Sequence, residues 1–126
     1  MLFFYKISTI ILYPFVVLLI YLRSFFNKED QVRYKEKIFS SSFRVLKNNH
    51  KKLIWFHVAS IGELLSILPL IEEINSFNKN IEFLITSVTL SSSNLLKKKL
   101  TQYNNITHRF MPVDTEYLSE KFLSAW

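Results

Sequence analysis

The chain has 126 residues, 49% hydrophobic and 21% charged, with a formal net charge of +6. That is enough for one domain and too apolar for a disordered chain. A single glycine, Gly62, excludes both Gly-rich phosphate-loop motifs, and the absence of cysteine excludes disulfides and thiolate metal sites. The charge is unevenly placed. Residues 23–52 carry nine basic and three acidic side chains, whereas residues 53–126 carry six basic and seven acidic ones. A basic excess confined to a segment behind a hydrophobic stretch fits anionic membrane headgroups. A nucleic-acid surface would instead lie on the folded domain, which is close to neutral, so no nucleic-acid partner is expected.

Residues 7–22 (ISTIILYPFVVLLIYL) form a run of 16 residues without a charge. At about 1.5 Å per residue this run spans roughly 24 Å, and adding residues 1–5 brings it to about 33 Å if Lys6 snorkels to the interface. Tyr5, Tyr13 and Tyr21 suit interfacial positions, and Pro14 predicts a kink. No small-x-small cleavage site follows Leu22, so residues 1–22 read as an uncleaved anchor, either spanning the bilayer or lying in one leaflet. Arg23, Lys28, Arg33, Lys35 and Lys37 follow it as candidate contacts to anionic lipid. By the positive-inside rule they place the remainder at the cytoplasmic face of the inner membrane, behind a single N-terminal anchor.

Residues 23–52 then read as basic juxtamembrane helices, over 29–48, and a polar linker, over 48–52. Asn27 is the expected N-cap, with Glu29 and Asp30 in the first turn. From residue 53 the pattern changes. The apolar run 53–58 (LIWFHV) predicts a buried strand. Leu64, Ile67, Leu68, Ile71, Ile74 and Phe77 recur at helical spacing, with Pro69 inside. A turn at 78–80, a strand over 81–86, a helix over 91–100, a strand over 106–111 and a helix over 115–125 complete a β-α-β-α-β-α order. Short connections between alternating strands and helices predict a parallel α/β sheet. The fold class is therefore an N-terminal anchor helix followed by a truncated Rossmann-like parallel sheet over 53–126. Three strands are few for such a sheet, which needs cover on both faces.

Ligands of open α/β sheets gather beyond the carboxyl ends of the strands, here 59–63, 87–93 and 112–115. Ser60-Ile61-Gly62-Glu63 fits a capping box, S-x-x-E, in which Ser60 caps a helix and Glu63 reaches back. It equally fits a general base at a strand-to-helix turn, with Gly62 admitting a substrate close to the backbone. A helix N-terminus lowers a carboxylate pKa and weakens it as a base, which partial burial would have to offset. Thr89, Ser91 and Ser92 offer hydroxyls and free N–H groups at a helix start, either as an anion site or as an ordinary serine cap. His50, His57 and His108 share no metal-ligand spacing, and His57 reads as a satisfied core residue. Asp114 reads as the N-cap of the last helix. Neither a metal nor another cofactor is implied.

The run 55–64 (WFHVASIGEL) resembles the N-terminal signature of 3-deoxy-D-manno-octulosonic acid (Kdo) transferases. The likeness extends through Pro69-Leu70-Ile71, Ile85-Thr86-Ser87-Val88-Thr89 and residues 108–114 (HRFMPVD), and the anchor and the 33–37 region (RYKEK) sit where the family has theirs. The resemblance implies an inverting glycosyltransferase of GT-B architecture, two Rossmann-like domains around a cleft, that moves Kdo from CMP-Kdo to a phosphorylated lipid A precursor. It places the family's general base at Glu63, with Ser60, Gly62, Thr89, Ser91 and Ser92 as acceptor-binding candidates.

Two departures stand out. Ser92 occupies a position where the family usually has glycine. The family's E-x-E-x-W-P segment and nucleotide-binding domain have no counterpart in these residues, so the donor site falls on none of them, and the 126 residues alone are expected to be inactive. The rival expectation is a non-catalytic membrane-surface interaction module of the same fold.

Overall fold

The computed structural model describes residues 2–43 and 51–126. Residues 44–48 of the expected juxtamembrane helices, His50 and most of the 48–52 linker lie outside the described residues. The chain divides into two compact units, Met1–Lys47 with Pro112–Trp126, and Asn48–Met111.

The second unit is the α/β body. It runs β1 (Lys52–Val58), α2 (Ile61–Phe77), β2 (Ile81–Ser87), α3 (Leu90–Lys99), a 3₁₀ turn (Leu100–Gln102) and β3 (Ile106–Phe110). The sheet is parallel in the order β1-β2-β3, as the alternation of strands and helices predicts. Register pairs Phe56 with Ile85 and His57 with Thr86, then Ile85 with His108. Side chains alternate across the sheet. Val58, Phe83 and Ile85 on one face therefore meet Leu64 and Ile71 of α2 and Leu96 of α3, with Ile54 and Phe56 packed against them. Fully burying a side chain of this size stabilises by roughly 1.5–3 kcal/mol.

The 78–80 turn closes on an Asx motif, the Asn80 N–H donating to Asn78 Oδ1 at 2.8 Å. Asn105 pins the entry to β3: its amide donates to Ile81 O (2.9 Å) and Asn75 Oδ1 (2.8 Å), and its carbonyl accepts from Phe83 N–H.

The first unit holds α1 (Leu2–Phe25), two 3₁₀ turns (Arg33–Lys37 and Ser40–Phe43) and α4 (Glu116–Ala125). Three local expectations are corrected here. Asn27 does not begin a helix; it ends one. Its φ of 56° is left-handed, and Lys28 N–H bonds Arg23 O while Asn27 N–H bonds Ser24 O, a Schellman closure of α1 with asparagine in place of the usual glycine. The described part of the 29–48 segment forms 3₁₀ turns rather than α-helix, because Asp30 Oδ1 draws in the N–H groups of Val32 and Arg33 and tightens the chain there. Asp114 is not the cap of α4. Thr115 is, accepting from Leu118 N–H at 3.3 Å.

Although α4 follows β3 in sequence, its apolar face packs with the N-terminal elements. Phe122 meets Phe43 edge-to-face at 5.3 Å. Val113 N–H donates to Lys37 O at 2.8 Å. Glu29, 5% exposed, takes Lys37 Nζ on Oε2 (2.6 Å) and Arg23 Nε on Oε1 (3.0 Å).

Candidate functional site

The candidate site grows out of the turn between β1 and α2. Val58 is buried at the end of β1 and the chain must turn into α2 within two residues. Ser60 makes that turn with extended backbone, φ −133° and ψ 164°, as N-caps do. Its hydroxyl oxygen accepts from Glu63 N–H at 3.2 Å and its O–H donates to Glu63 Oε1 at 3.1 Å. Glu63 Oε2 accepts from Ala59 N–H at 2.9 Å. The capping-box expectation holds with one shift: the glutamate reaches the N–H before the cap rather than the cap's own.

These bonds favour the charged carboxylate. The Ala59 N–H, then the Ser60 hydroxyl, hold the Glu63 pKa below its ordinary value; slight desolvation opposes them and the neighbouring His57 adds to them. The carboxylate is exposed. Each oxygen accepts one hydrogen bond here and keeps a further lone pair, so both remain open to a ligand proton.

Gly62 has no positive φ, and a Cβ placed on it would meet only Ser60 Oγ at 3.9 Å. The local fold does not require glycine at this position. What glycine leaves is open approach to the backbone beside Glu63.

Alongside lies a polar group that the sequence reading did not assemble. Trp55 Nε1–H donates to Thr86 Oγ1 at 2.9 Å, and His57 Nδ1 lies 2.9 Å from the same oxygen. His57 is thus exposed rather than a core residue, on the sheet face opposite Phe56 and Val58. The signal for it was strand parity, since Trp55 and His57 alternate with the core positions 54, 56 and 58. On the other face, Ser87 Oγ and His108 Nε2 stand 2.8 Å apart.

At the next strand end, Thr89 caps α3. It accepts from Ser92 N–H at 3.2 Å, and its O–H donates to Ser92 Oγ at 2.8 Å. Two of the three hydroxyls there thus serve each other, with Ser92 buried, while Ser91 faces solvent. Glu63 and Ser91 stand at the carboxyl edge of the same sheet, on adjacent strand ends.

Of the five basic candidates for lipid, Arg23 and Lys37 share Glu29, and Arg33 pairs with Glu36 at 2.7 Å. Lys28 and Lys35 are exposed and, among the described residues, in no ion pair. The sequence distinguished none of these five from the others, because pairing depends on how the 3₁₀ turns fold.

A parallel α/β unit with an exposed carboxylate at its carboxyl edge has the layout of the α/β domains whose ligands gather beyond the strand ends. Residues 32–126 match the family model described as 3-deoxy-D-manno-octulosonic-acid transferase (kdotransferase). The chain is similar to the 3-deoxy-D-manno-octulosonic acid transferase of Rickettsia bellii, with 33% identity over 122 residues, 97% of this chain and 28% of that protein. It is 42% identical to the Rickettsia typhi enzyme of the same name over 76 residues, 60% of this chain and 16% of that one. An Arabidopsis thaliana protein, "Probable 3-deoxy-D-manno-octulosonic acid transferase, mitochondrial", is 34% identical over 74 residues, 59% of this chain and 16% of that one. No solved structure matches the chain. The chain belongs to the Kdo transferase family of glycosyltransferases and corresponds to an N-terminal portion, spanning under a third of these relatives' length.

Proposed function

We propose that these residues form the acceptor-side part of an inverting glycosyltransferase. It transfers Kdo from CMP-Kdo to a phosphorylated lipid A precursor in lipopolysaccharide core biosynthesis. Its architecture is GT-B, with the CMP-Kdo site mostly in a nucleotide-binding domain outside these residues. The enzyme is held by its N-terminal helix at the cytoplasmic face of the inner membrane, where its lipid acceptor resides. The observation that carries the reading is the Glu63 carboxylate, exposed at the carboxyl edge of the sheet and fixed by Ala59 N–H and Ser60.

On this reading Glu63 takes the proton of the acceptor hydroxyl as that oxygen attacks the anomeric carbon of Kdo. The bond from that carbon to the CMP phosphate breaks, and CMP leaves with its electron pair. Ser60 and Ala59 act as positioning groups that hold the carboxylate charged and aimed. A base held below its usual pKa is weak in water; closure of a second domain over it would desolvate it and restore its strength. The 126 residues alone lack the groups that hold the donor and do not transfer Kdo, because half a cleft cannot orient donor against acceptor.

One observation favours a second reading, a non-catalytic membrane-surface module: both Glu63 oxygens already serve a cap, and the pKa moves away from that of an effective base.

The test is Glu63→Gln in the complete enzyme, this chain continued by the remainder of the protein as in its relatives. Glutamine keeps the shape and still accepts in a capping box. A general base is worth about 10²–10⁴-fold in rate, so the expected result is turnover lowered about a hundredfold or more with an unchanged melting temperature. Activity retained within about threefold, where general-base loss would cost far more, makes Glu63 a cap and assigns the base to another residue, whereas no Kdo transfer by the unaltered complete protein is the outcome of the second reading.

A further inference from the structure

We propose that α1 lies along the membrane surface, sunk into one leaflet, with both of its ends on the same side of the bilayer. The inference rests on the membrane reading above and deepens it. By length and composition α1 suffices to cross a membrane, and its exposed apolar residues reach beyond one face, so composition alone favours spanning over lying flat. The contacts of α1 within its own unit separate them.

The less exposed residues of α1 form one unbroken stripe: Lys6, Thr9, Tyr13, Val17, Ile20 and Ser24. Their spacing of three and four residues keeps them on one face from end to end. That stripe is tied to the rest of the unit at three heights. Near its start, Lys6 pairs with Glu116, and the adjacent Tyr5 hydroxyl bonds Asp114. In the middle, the Tyr13 hydroxyl donates to Ile38 O at 3.1 Å. Near the end, Arg23 pairs with Glu29, and Gln31 Nε2–H donates to Ser24 O at 2.7 Å.

A spanning α1 would carry Glu116 to one surface of the bilayer and Glu29 to the other. It would also hold the Ile38 backbone, and the charged Arg33–Lys37 turn before it, at mid-membrane depth, where charged groups and irregular backbone facing lipid are strongly disfavoured.

Directly opposite the stripe runs a ridge of six large apolar residues. Phe4, Ile11, Phe15, Leu18, Leu22 and Phe25 are each between 51% and 81% exposed. A helix docked along one face from end to end leaves its remaining apolar surface to lipid, and in the in-plane geometry that surface sinks some 5–10 Å into one leaflet. Lys28 and Lys35, exposed and in no ion pair among the described residues, suit the anionic headgroups beside its end.

The test measures depth along the ridge. Because the chain has no cysteine, single cysteines are placed by Phe4→Cys, Ile11→Cys, Phe15→Cys, Leu18→Cys, Leu22→Cys and Phe25→Cys in the full chain and labelled with a small fluorophore. The protein is bound to vesicles of phosphatidylethanolamine and phosphatidylglycerol carrying bromine at known acyl depths. All six positions face away from the stripe, so the substitutions leave the docking intact. The expected result is similar, shallow quenching depth at all six. From Phe4 to Phe25 is about 31 Å along a helix, so a spanning α1 would put Phe15 roughly 15 Å deeper than either end. A profile deepest at Phe15 and shallow at both ends overturns the in-plane geometry while leaving the anchor in place. Absence of quenching at every position overturns the membrane reading itself.

Discussion

Ser60 and Gly62 test the geometry around Glu63 more finely than removal of the carboxylate does. Ser60→Ala deletes a hydrogen bond to the charged form of Glu63 and an N-cap. Loss of an N-cap costs about 1 kcal/mol of helix stability, and loss of the bond lets the carboxyl pKa rise toward its ordinary value. A lowered pKa means stability and base activity that are present above the usual carboxylate range and lost as the pH falls through the depressed value. In the complete enzyme the acid limb of kcat/KM therefore moves to higher pH in Ser60→Ala; an unmoved limb assigns that ionisation to another group.

Gly62→Ala makes the opposite pairing. The local fold accepts the methyl, and alanine in a helix is more stable than glycine by roughly 0.5–1 kcal/mol. The expected outcome is an equal or higher melting temperature with a raised KM for the lipid acceptor; an unchanged KM removes the close-approach role. At this scale the cap was legible in the sequence, because S-x-x-E encodes a local hydrogen-bond pattern. The exposed position of His57 and its contact with Thr86 were not read, because they follow from strand parity and register.

At the scale of elements, the strands and helices of the α/β unit stood close to where period and punctuation placed them, to within a few residues at each end. Local signals suffice there because each element is bounded by its own cap or turn: Ser60, Asn78, Thr89 and Asn105. The juxtamembrane segment was the hard part. Asn27 satisfies both the cap of a following helix and the left-handed closure of the preceding one, and only the Lys28-to-Arg23 and Asn27-to-Ser24 bonds decide between them. Its charges, which look like a solvated lipid-binding run, fold inward around Glu29 with Lys37 and Arg23. Removing one partner of a buried pair strands the other, typically at about 3–5 kcal/mol. Glu29→Ala should lower the denaturation midpoint correspondingly, whereas Lys35→Ala, on an exposed residue, should leave it within about 0.5 kcal/mol. Equal, small effects of the two would show that the Glu29 cluster contributes nothing to the unit.

At the scale of the whole molecule, the proposed membrane association draws on two forces, and they respond to salt differently. The apolar surface of α1 is insensitive to ionic strength, while headgroup attraction falls off within a Debye length, about 3 Å at 1 M salt. The charge count alone assigns a large share to the second force, with five basic residues between Arg23 and Lys37. The ion pairs reduce that share, since Arg23, Arg33 and Lys37 already face carboxylates. An unpaired lysine near an anionic surface contributes about 1 kcal/mol. Replacing Lys28 and Lys35 together by glutamine should therefore weaken partitioning into anionic vesicles by roughly 30-fold at low salt, and leave partitioning into neutral vesicles unchanged. The same double replacement at Arg23 and Arg33 should weaken it less, because those charges are already spent on Glu29 and Glu36. High salt should erase the Lys28 and Lys35 effect without releasing the unaltered protein from membranes. Release of the unaltered protein by salt alone would mean that α1 is not inserted and that the whole association is electrostatic.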